Sequence, residues 1–233
     1  MKILITGVGG GLGNCLTEIA LDRGHEVIAT GMENIIDNAM LKEKKKSYGS
    51  KLQIAEMNVE DDNEVKIIAE LIDKQFGSLD GIINCAGIMV EREKTIEEVD
   101  LSEVVRSFQV NTVGPMRVVQ QMLPLIYKGE KQAIINISSE AGTIINAFPT
   151  NYAYSMSKTA LNMFSERLRE YLKPLNILVY AVHPGWMRTN MGGNDAPADP
   201  RDIANGILDI MERKKISYSK IAFIDSTGRP MPL

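Results

Sequence analysis

Two cysteines, two histidines and one tryptophan in 233 residues leave this chain poor in the side chains that build stapled or metal-centred folds. Cys15 and Cys85 both sit in apolar settings, so no disulfide framework carries the fold; the pair reads as reduced core thiols of a cytosolic, hence cytoplasmic, protein. No spacing of His, Cys, Asp and Glu resembles a metal site. No apolar run approaches the roughly 20 residues that span a bilayer. Lys2-Ile3-Leu4-Ile5 starts an apolar run at once, with no signal peptide ahead of it. Neither sign of charge dominates: 26 Lys and Arg against 30 Asp and Glu give −4, which argues against nucleic acid or an anionic membrane as main partner. No linker, repeat or low-complexity tract divides the chain, so one domain over 1–233 is expected.

What is present is alternation. Short aliphatic runs at Lys2–Ile5, Glu26–Thr30, Leu52–Glu56, Leu79–Ile83, Gln132–Ile137, Ile177–Val182 and Lys220–Phe223 read as strands buried on both faces. Helical periodicity falls between them, near 12–23, 35–46, 61–75, 101–127, 152–172 and 200–213. The pattern predicts an α/β fold: a doubly wound parallel sheet of about seven strands, Rossmann-like, with helices on both faces. The run Lys42-Glu43-Lys44-Lys45-Lys46 reads as a solvated helix end. Thirteen methionines suit an adaptable core.

Two stretches carry chemistry. Thr6-Gly7-Val8-Gly9-Gly10-Gly11-Leu12-Gly13 follows the first strand and opens the first helix. Glycines let backbone approach a diphosphate, and a helix N-terminus offers N–H groups and positive dipole. In Tyr154-Ser155-Met156-Ser157-Lys158, residues four apart share a helix face, with Ala153, Ser157, Ala160, Leu161, Phe164, Leu168 and Tyr171 as the packed stripe. A phenol of pKa about 10 is a poor acid near neutrality, and a fixed ammonium beside it lowers that value. Tyr154 with Lys158 is thus a candidate acid/base pair.

Together these motifs resemble the short-chain dehydrogenase/reductase family, over nearly the whole chain. Asn84-Cys85-Ala86-Gly87 resembles the family segment that walls the adenosine ribose. Asn111 matches a helix Asn that holds a water in the proton relay to the lysine. Ser139, in Ser138-Ser139, matches the Ser that hydrogen-bonds the reacting oxygen, although two adjacent hydroxyls leave that role open between them. In Pro184-Gly185-Trp186-Met187-Arg188-Thr189 the Thr matches the residue that meets the nicotinamide carboxamide. The segments His183–Gly193 and Phe223–Gly228 look similar to the C-factor-like and sniffer-type carbonyl reductases. The resemblance implies hydride transfer between NAD(P)(H) and a carbonyl or alcohol carbon of a small substrate. Its catalytic set is Asn111, Ser139, Tyr154 and Lys158. Its cofactor set is Gly7, Gly11, Leu12, Gly13, Asn58, Val59, Asn84, Ala86, Gly87, Tyr154, Lys158, Pro184, Gly185 and Thr189. It also implies assembly as a homodimer or homotetramer. The alternative is a dinucleotide-binding regulatory protein with incidental turnover; a dehydratase or epimerase of the extended type lacks room for a substrate domain.

Departures sharpen the expectations. Asn58-Val59 stands where the family often has Asp-Val, and an amide still meets adenine. Ser139 precedes Tyr154 by 15 residues, more than the family norm; Tyr152 fits that norm, but its partner four residues on is Met156. At the end of strand two, Thr30-Gly31-Met32-Glu33 puts no acid at Gly31 for ribose hydroxyls, and Gly10 and Met32 supply no cation for a 2′-phosphate. Glu33 is expected to face water. Both cofactors are expected to be accepted, with a slight lean to NADP(H). His25 reads as a turn residue and His183 as packed; Trp186 either lines a pocket or packs. Arg188 is the one charged anchor expected for an acidic substrate.

Overall fold

Ile3, Leu4 and Ile5 are fully buried, yet they serve two different cores: Ile3 and Ile5 face one layer and Leu4 the other. That is the strand pleat applied to a sheet covered on both sides. The computed structural model describes residues 1–233 except Glu33 and Asn146, so the expectation for Glu33 lies outside the described residues. Seven parallel strands run in the order β3-β2-β1-β4-β5-β6-β7. They are β1 (Lys2–Thr6), β2 (Glu26–Gly31), β3 (Leu52–Glu56), β4 (Gly81–Asn84), β5 (Ala133–Ile137), β6 (Leu178–His183) and β7 (Phe223–Asp225).

Helices α1 (Gly11–Asp22), α2 (Ala39–Tyr48) and α7 (Pro200–Met211) cover one face through Leu16, Leu41 and Ile207. The other face carries α3 (Asp62–Phe76), α4 (Leu101–Phe108), α5 (Gly114–Ile126) and α6 (Tyr152–Leu172), with Ile68, Met122 and Leu168 in the core. The chain leaves β1 toward β2 and returns beyond β1 to β4. The strand order therefore reverses between β1 and β4, and a crevice opens there at the carboxyl ends.

Four expectations are corrected. The helix expected over 101–127 is interrupted by a π-helical turn at Gln109–Val113, which periodicity does not reveal because both halves keep their apolar stripe. The last strand starts at Phe223, not Lys220. The Ser219 hydroxyl donates to the Ile221 carbonyl, and the Ala222 N–H donates to the Glu166 carboxylate, so side chains take backbone groups a ladder would need. In α6, Tyr171 is exposed, while Asn162 and Ser165 are buried in its place. The lysine run is not merely solvated: Lys44 pairs with Glu18, and Lys45 donates to the Leu52 carbonyl.

His25 is more than a turn residue. Its Nε2 lies 2.7 Å from Glu212, whose side chain is only 8% exposed and also receives Arg23 at 3.1 Å and Lys214. Burial pushes the Glu212 carboxyl up, but hydrogen bonds from Lys214, His25 and Arg23 outweigh it and hold the group at about 2. An unfolded Glu titrates near 4.3. The depressed folded value therefore gives stability that is complete above about pH 5 and lost as pH falls toward 2. Glu212→Gln should lower unfolding free energy at pH 7 by about 2 kcal/mol and flatten the acid limb between pH 5 and 3. Urea melts of both proteins across that range check it; equal pH slopes would refute it.

Candidate active site

Only glycine fits at two points of the loop after β1. Gly7 has φ +73°, and a β-carbon there would lie 2.6 Å from the Ala86 Cα. One on Gly13 would lie 2.3 Å from the Gly7 carbonyl oxygen. The loop is thereby folded tightly onto the end of β4, where the Thr6 hydroxyl accepts from the N–H groups of Cys85 and Ala86 at 3.1 and 3.0 Å. Helices α2, α3, α4 and α7 each begin with an Asn or Asp side chain accepting from the first turn. Helix α1 does not: Gly10 supplies no side-chain cap, and its first turn has no acid. Its N–H groups are left for an anion.

A cavity of about 940 Å³ runs from this loop across the carboxyl ends of the strands. Gly31, Met32, Asn34, Asn38, Asn58 and Val59 line one end, and Ser139, Tyr154, Lys158, Trp186 and Met191 the other. Gly7, Gly11, Leu12, Gly13, Ala86, Gly87, Pro184, Gly185 and Thr189 also lie on its wall. The Thr189 methyl approaches the position of a Gly11 β-carbon to 3.2 Å, so the segment after β6 closes over the glycine loop. An uncapped helix start, a backbone that tolerates no side chain and a cavity of this length fit a nicotinamide dinucleotide.

Tyr154 and Lys158 share the buried face of α6, and both line the cavity; Tyr152 does not. The turn between them is clamped from the π-helical segment. Asn111 Nδ2 donates to the Ser157 hydroxyl at 3.0 Å, Thr112 Oγ1 donates to the Ser157 carbonyl at 2.8 Å, and Ser157 donates to the Tyr154 carbonyl at 2.8 Å. From the sheet side, Lys158 Nζ donates to the Ile137 carbonyl at 2.8 Å.

Two assignments change, and a third gains a structural part: Asn111, expected to hold a relay water, has its side chain bonded to Ser157 and to both backbone groups of Ile88, the latter at 2.9 Å each. Asn84 braces strands instead of facing the cavity: its amide donates to Asn136, which donates to Ser165. Lys158 was expected to lower the Tyr154 pKa. Burial raises it, and the opposing pulls come from a hydrogen bond with Ser139 and the charge of Arg92. The ammonium sits 5.6 Å from the phenol ring centroid, and burial brings its own pKa down to about 8.

Ser138 and Ser139 separate cleanly. The Ser138 hydroxyl is buried and donates to Asn162 at 2.6 Å. Ser139 lines the cavity beside Tyr154, its oxygen accepting from the Ala141 N–H at 3.1 Å. His183 also lines it, accepting from the Glu140 N–H at 3.1 Å and so fixing the loop after Ser139. Trp186 lines it too, its indole donating to the Gly192 carbonyl at 2.6 Å. Arg188 is no substrate anchor: it is engaged with the Ala196 and Pro197 carbonyls and Asp199. Sequence reasoning missed Arg92, Met89, Asn34 and Asn38 on the cavity wall. They lie in irregular segments, where no periodicity announces a direction.

The short chain dehydrogenase family model matches residues 1–199. The chain belongs to that family. It is an NAD(P)-dependent oxidoreductase, transferring hydride between nicotinamide and a carbonyl or alcohol carbon. It is 33% identical to the C-signal of Myxococcus xanthus over 157 residues, 67% of this chain and 93% of that protein. Among solved structures it is similar to the carbonyl reductase Sniffer of D. melanogaster (29% identity, TM-score 0.91, covering 100% of this chain and 99% of that one). It is also similar to the NADPH-bound carbonyl reductase from chicken fatty liver (27%, TM-score 0.89, covering 100% and 98%). No helix among the described residues is long and apolar enough to cross a membrane.

Ser139→Ala should cost roughly 2–4 kcal/mol in kcat/KM for carbonyl reduction, the scale of one lost oxyanion donor. Ser138→Ala should leave kcat/KM within about threefold and instead lower stability by about 1–2 kcal/mol, since Asn162 loses its donor. Steady-state kinetics paired with thermal melts separate the two; equal rate losses would refute the assignment.

Proposed function

We propose that the chain is a carbonyl reductase for small substrates, with Tyr154 as the general acid, Ser139 as the second donor to the reacting oxygen and Lys158 as the charged group beneath them. One observation carries this reading: Tyr154, Ser139 and Lys158 meet at one end of a cavity whose other end is the glycine loop. A bound nicotinamide dinucleotide supplies the hydride. Gly7, Gly11, Leu12, Gly13 and the start of α1 would hold its diphosphate. Ala86, Gly87, Asn58 and Val59 would hold the adenosine side, and Lys158, Pro184, Gly185 and Thr189 the nicotinamide side.

The proton chemistry follows from burial. Desolvation keeps the Tyr154 phenol protonated at neutrality, the state needed to donate to an alkoxide forming at the substrate carbon. Ser139 donates to the same oxygen. Lys158 contributes its positive charge only while protonated, and Asn111 acts through Ser157 by holding the turn that spaces Tyr154 from Lys158. A purely regulatory dinucleotide binder would have no use for a buried acid facing the cavity. Two free thiols favour a cytoplasmic setting. Helices α4 and α6 pack together and leave Leu101, Val105, Met163 and Tyr171 exposed, which supports a homodimer or homotetramer built on these helices.

Tyr154→Phe should lower kcat for carbonyl reduction by about 10²–10⁴-fold, with NADPH affinity nearly unchanged because the ring still packs. In the wild type, kcat/KM should be flat near neutrality and fall as pH rises through about 8, where Lys158 loses its proton. Stopped-flow and steady-state measurements across pH check both; wild-type turnover by Tyr154→Phe would remove Tyr154 as the acid.

Cofactor choice is set at the other end. Gly31 offers no carboxylate, and a β-carbon there would press within 2.8 Å of buried Ile35, so an acid does not fit without repacking. Met32 is 62% exposed on the cavity wall, and the amides Asn34 and Asn38 flank it. Uncharged readers neither repel a 2′-phosphate nor pair with it, so NADH and NADPH should differ by less than about tenfold, or 1.4 kcal/mol, leaning to NADPH. Met32→Arg should raise NADPH affinity by about tenfold and leave NADH nearly unchanged. Fluorescence titration of both cofactors at low ionic strength decides it; a wild-type preference beyond a hundredfold would refute it.

A further inference from the structure

Glu91 and Glu93 both have left-handed backbone, φ 53° and 60°. Two such residues flanking a single position are costly without glycine, and the position between them is Arg92. This doubly twisted segment follows β4 and sets Arg92 on the wall of the cavity at its reaction end, beside Ile88 and Met89. Arg92 Nη2 donates to the Met191 carbonyl at 2.7 Å, bridging to the segment that follows β6. That bond uses one of the five N–H donors of a guanidinium.

Of the other charged side chains on the cavity wall, Arg106 pairs with Glu103 at 3.4 Å, Lys158 is committed to the Ile137 carbonyl, Glu140 faces His183 at 3.8 Å, and Glu60 adjoins Val59 toward the opposite end. Among the described residues no carboxylate pairs with Arg92, although Glu91 and Glu93 adjoin it in sequence; Glu91 accepts from the Asp100 N–H instead. The Arg92 charge reaches the Tyr154 phenol, where it pulls weakly against the rise that burial causes. The apolar Met89, Trp186 and Met191 line the same cavity, with the uncharged Asn190 amide next to Met191.

We propose that Arg92 determines substrate class: the carbonyl substrate carries a carboxylate, joined through an apolar body, and that carboxylate pairs with Arg92 at the mouth of the cavity while the carbonyl oxygen meets Tyr154 and Ser139. The inference rests on the reading of Tyr154 and Ser139 as the carbonyl site. A single unpaired guanidinium matches a monoanion, and its planar fork suits a carboxylate. It also corrects the expectation that Arg188 is the one anchor for an acidic substrate.

The test compares matched acids and esters with NADPH: 4-carboxybenzaldehyde against methyl 4-formylbenzoate, and 4-oxobutanoate against its methyl ester. For at least one pair the wild type should favour the acid in kcat/KM by about tenfold or more. The preference should sit mainly in KM and shrink between about 0.05 and 0.5 M salt. Arg92→Met should bring the ratio to within about twofold of one, and Arg92→Lys should keep part of it; thermal melts confirm that both variants are folded. A wild-type ratio near one for both pairs, with the esters turned over, overturns the role of Arg92 and leaves carbonyl reduction standing. Loss of the preference in Arg106→Gln but not in Arg92→Met overturns it equally. If no aldehyde is reduced, the reading of Tyr154 and Ser139 fails, and this inference falls with it.

Discussion

The turn of α6 between Tyr154 and Lys158 is held by four hydrogen bonds, and the chemistry depends on that constraint. A phenol and an ammonium on adjacent turns of a free helix would each turn toward water. Here Ser157, which lies between them and directly precedes Lys158, receives Asn111 and Thr112 from one side, while Lys158 reaches Ile137 on the other. The π-helical turn at Gln109–Val113 places Asn111 and Thr112 side by side against α6. Such turns insert a residue into a helix and redirect its side chains, which is why they recur at functional sites. The helix gives up regular geometry at that point, and the two bonds to Ser157 offset the loss.

The same economy governs the opposite end of the cavity. Parallel strands need covering helices, and covering helices begin just beyond the carboxyl ends of the strands. Most of them close their first turn with an Asn or Asp side chain. Helix α1 begins at the point where strand order reverses and is left without such a cap. Glycine is demanded there by crowding as much as by φ, since the Gly7 site meets backbone of Cys85 and Ala86 just beyond β4, and the Gly13 site meets the loop itself. Anion-binding capacity is thus a by-product of folding the loop as tightly as the sheet requires.

Most of the fold was legible because its signals are local. Continuous aliphatic runs with helical periodicity between them give seven strands in a doubly wound sheet; strand ends shift, as at Phe223, where side chains compete for backbone partners, and the π-helical turn at Gln109–Val113 stays hidden inside an unbroken periodic stretch. The candidate site was legible where residue type and spacing suffice, in the glycine loop and in Tyr154 with Lys158, whereas Ser138 and Ser139 were told apart only by what each hydroxyl faces. It was illegible where a role depends on what packs alongside. Asn111 and Asn84 are both amides in promising motifs, but buried amides satisfy one another and nearby hydroxyls before they meet a ligand. Arg92 carried no signal, because its placement comes from two left-handed residues that no pattern announces.

Burial reverses part of the simple acid/base picture. Spacing alone suggests that Lys158 drives Tyr154 toward phenolate. Desolvation instead penalises the charged form of both groups, keeping the phenol protonated and drawing the ammonium down to about 8. For reduction this arrangement is favourable. The proton to be given away is retained until an alkoxide develops beside it, and the positive charge that stabilises the alkoxide acts through a poorly screened medium. Oxidation of an alcohol makes the opposite demand, since it needs the phenol deprotonated first. In the proposed mechanism the resting protein near neutrality therefore already holds the protonation state from which reduction starts, and alkaline pH removes it by discharging Lys158 before Tyr154 ionises.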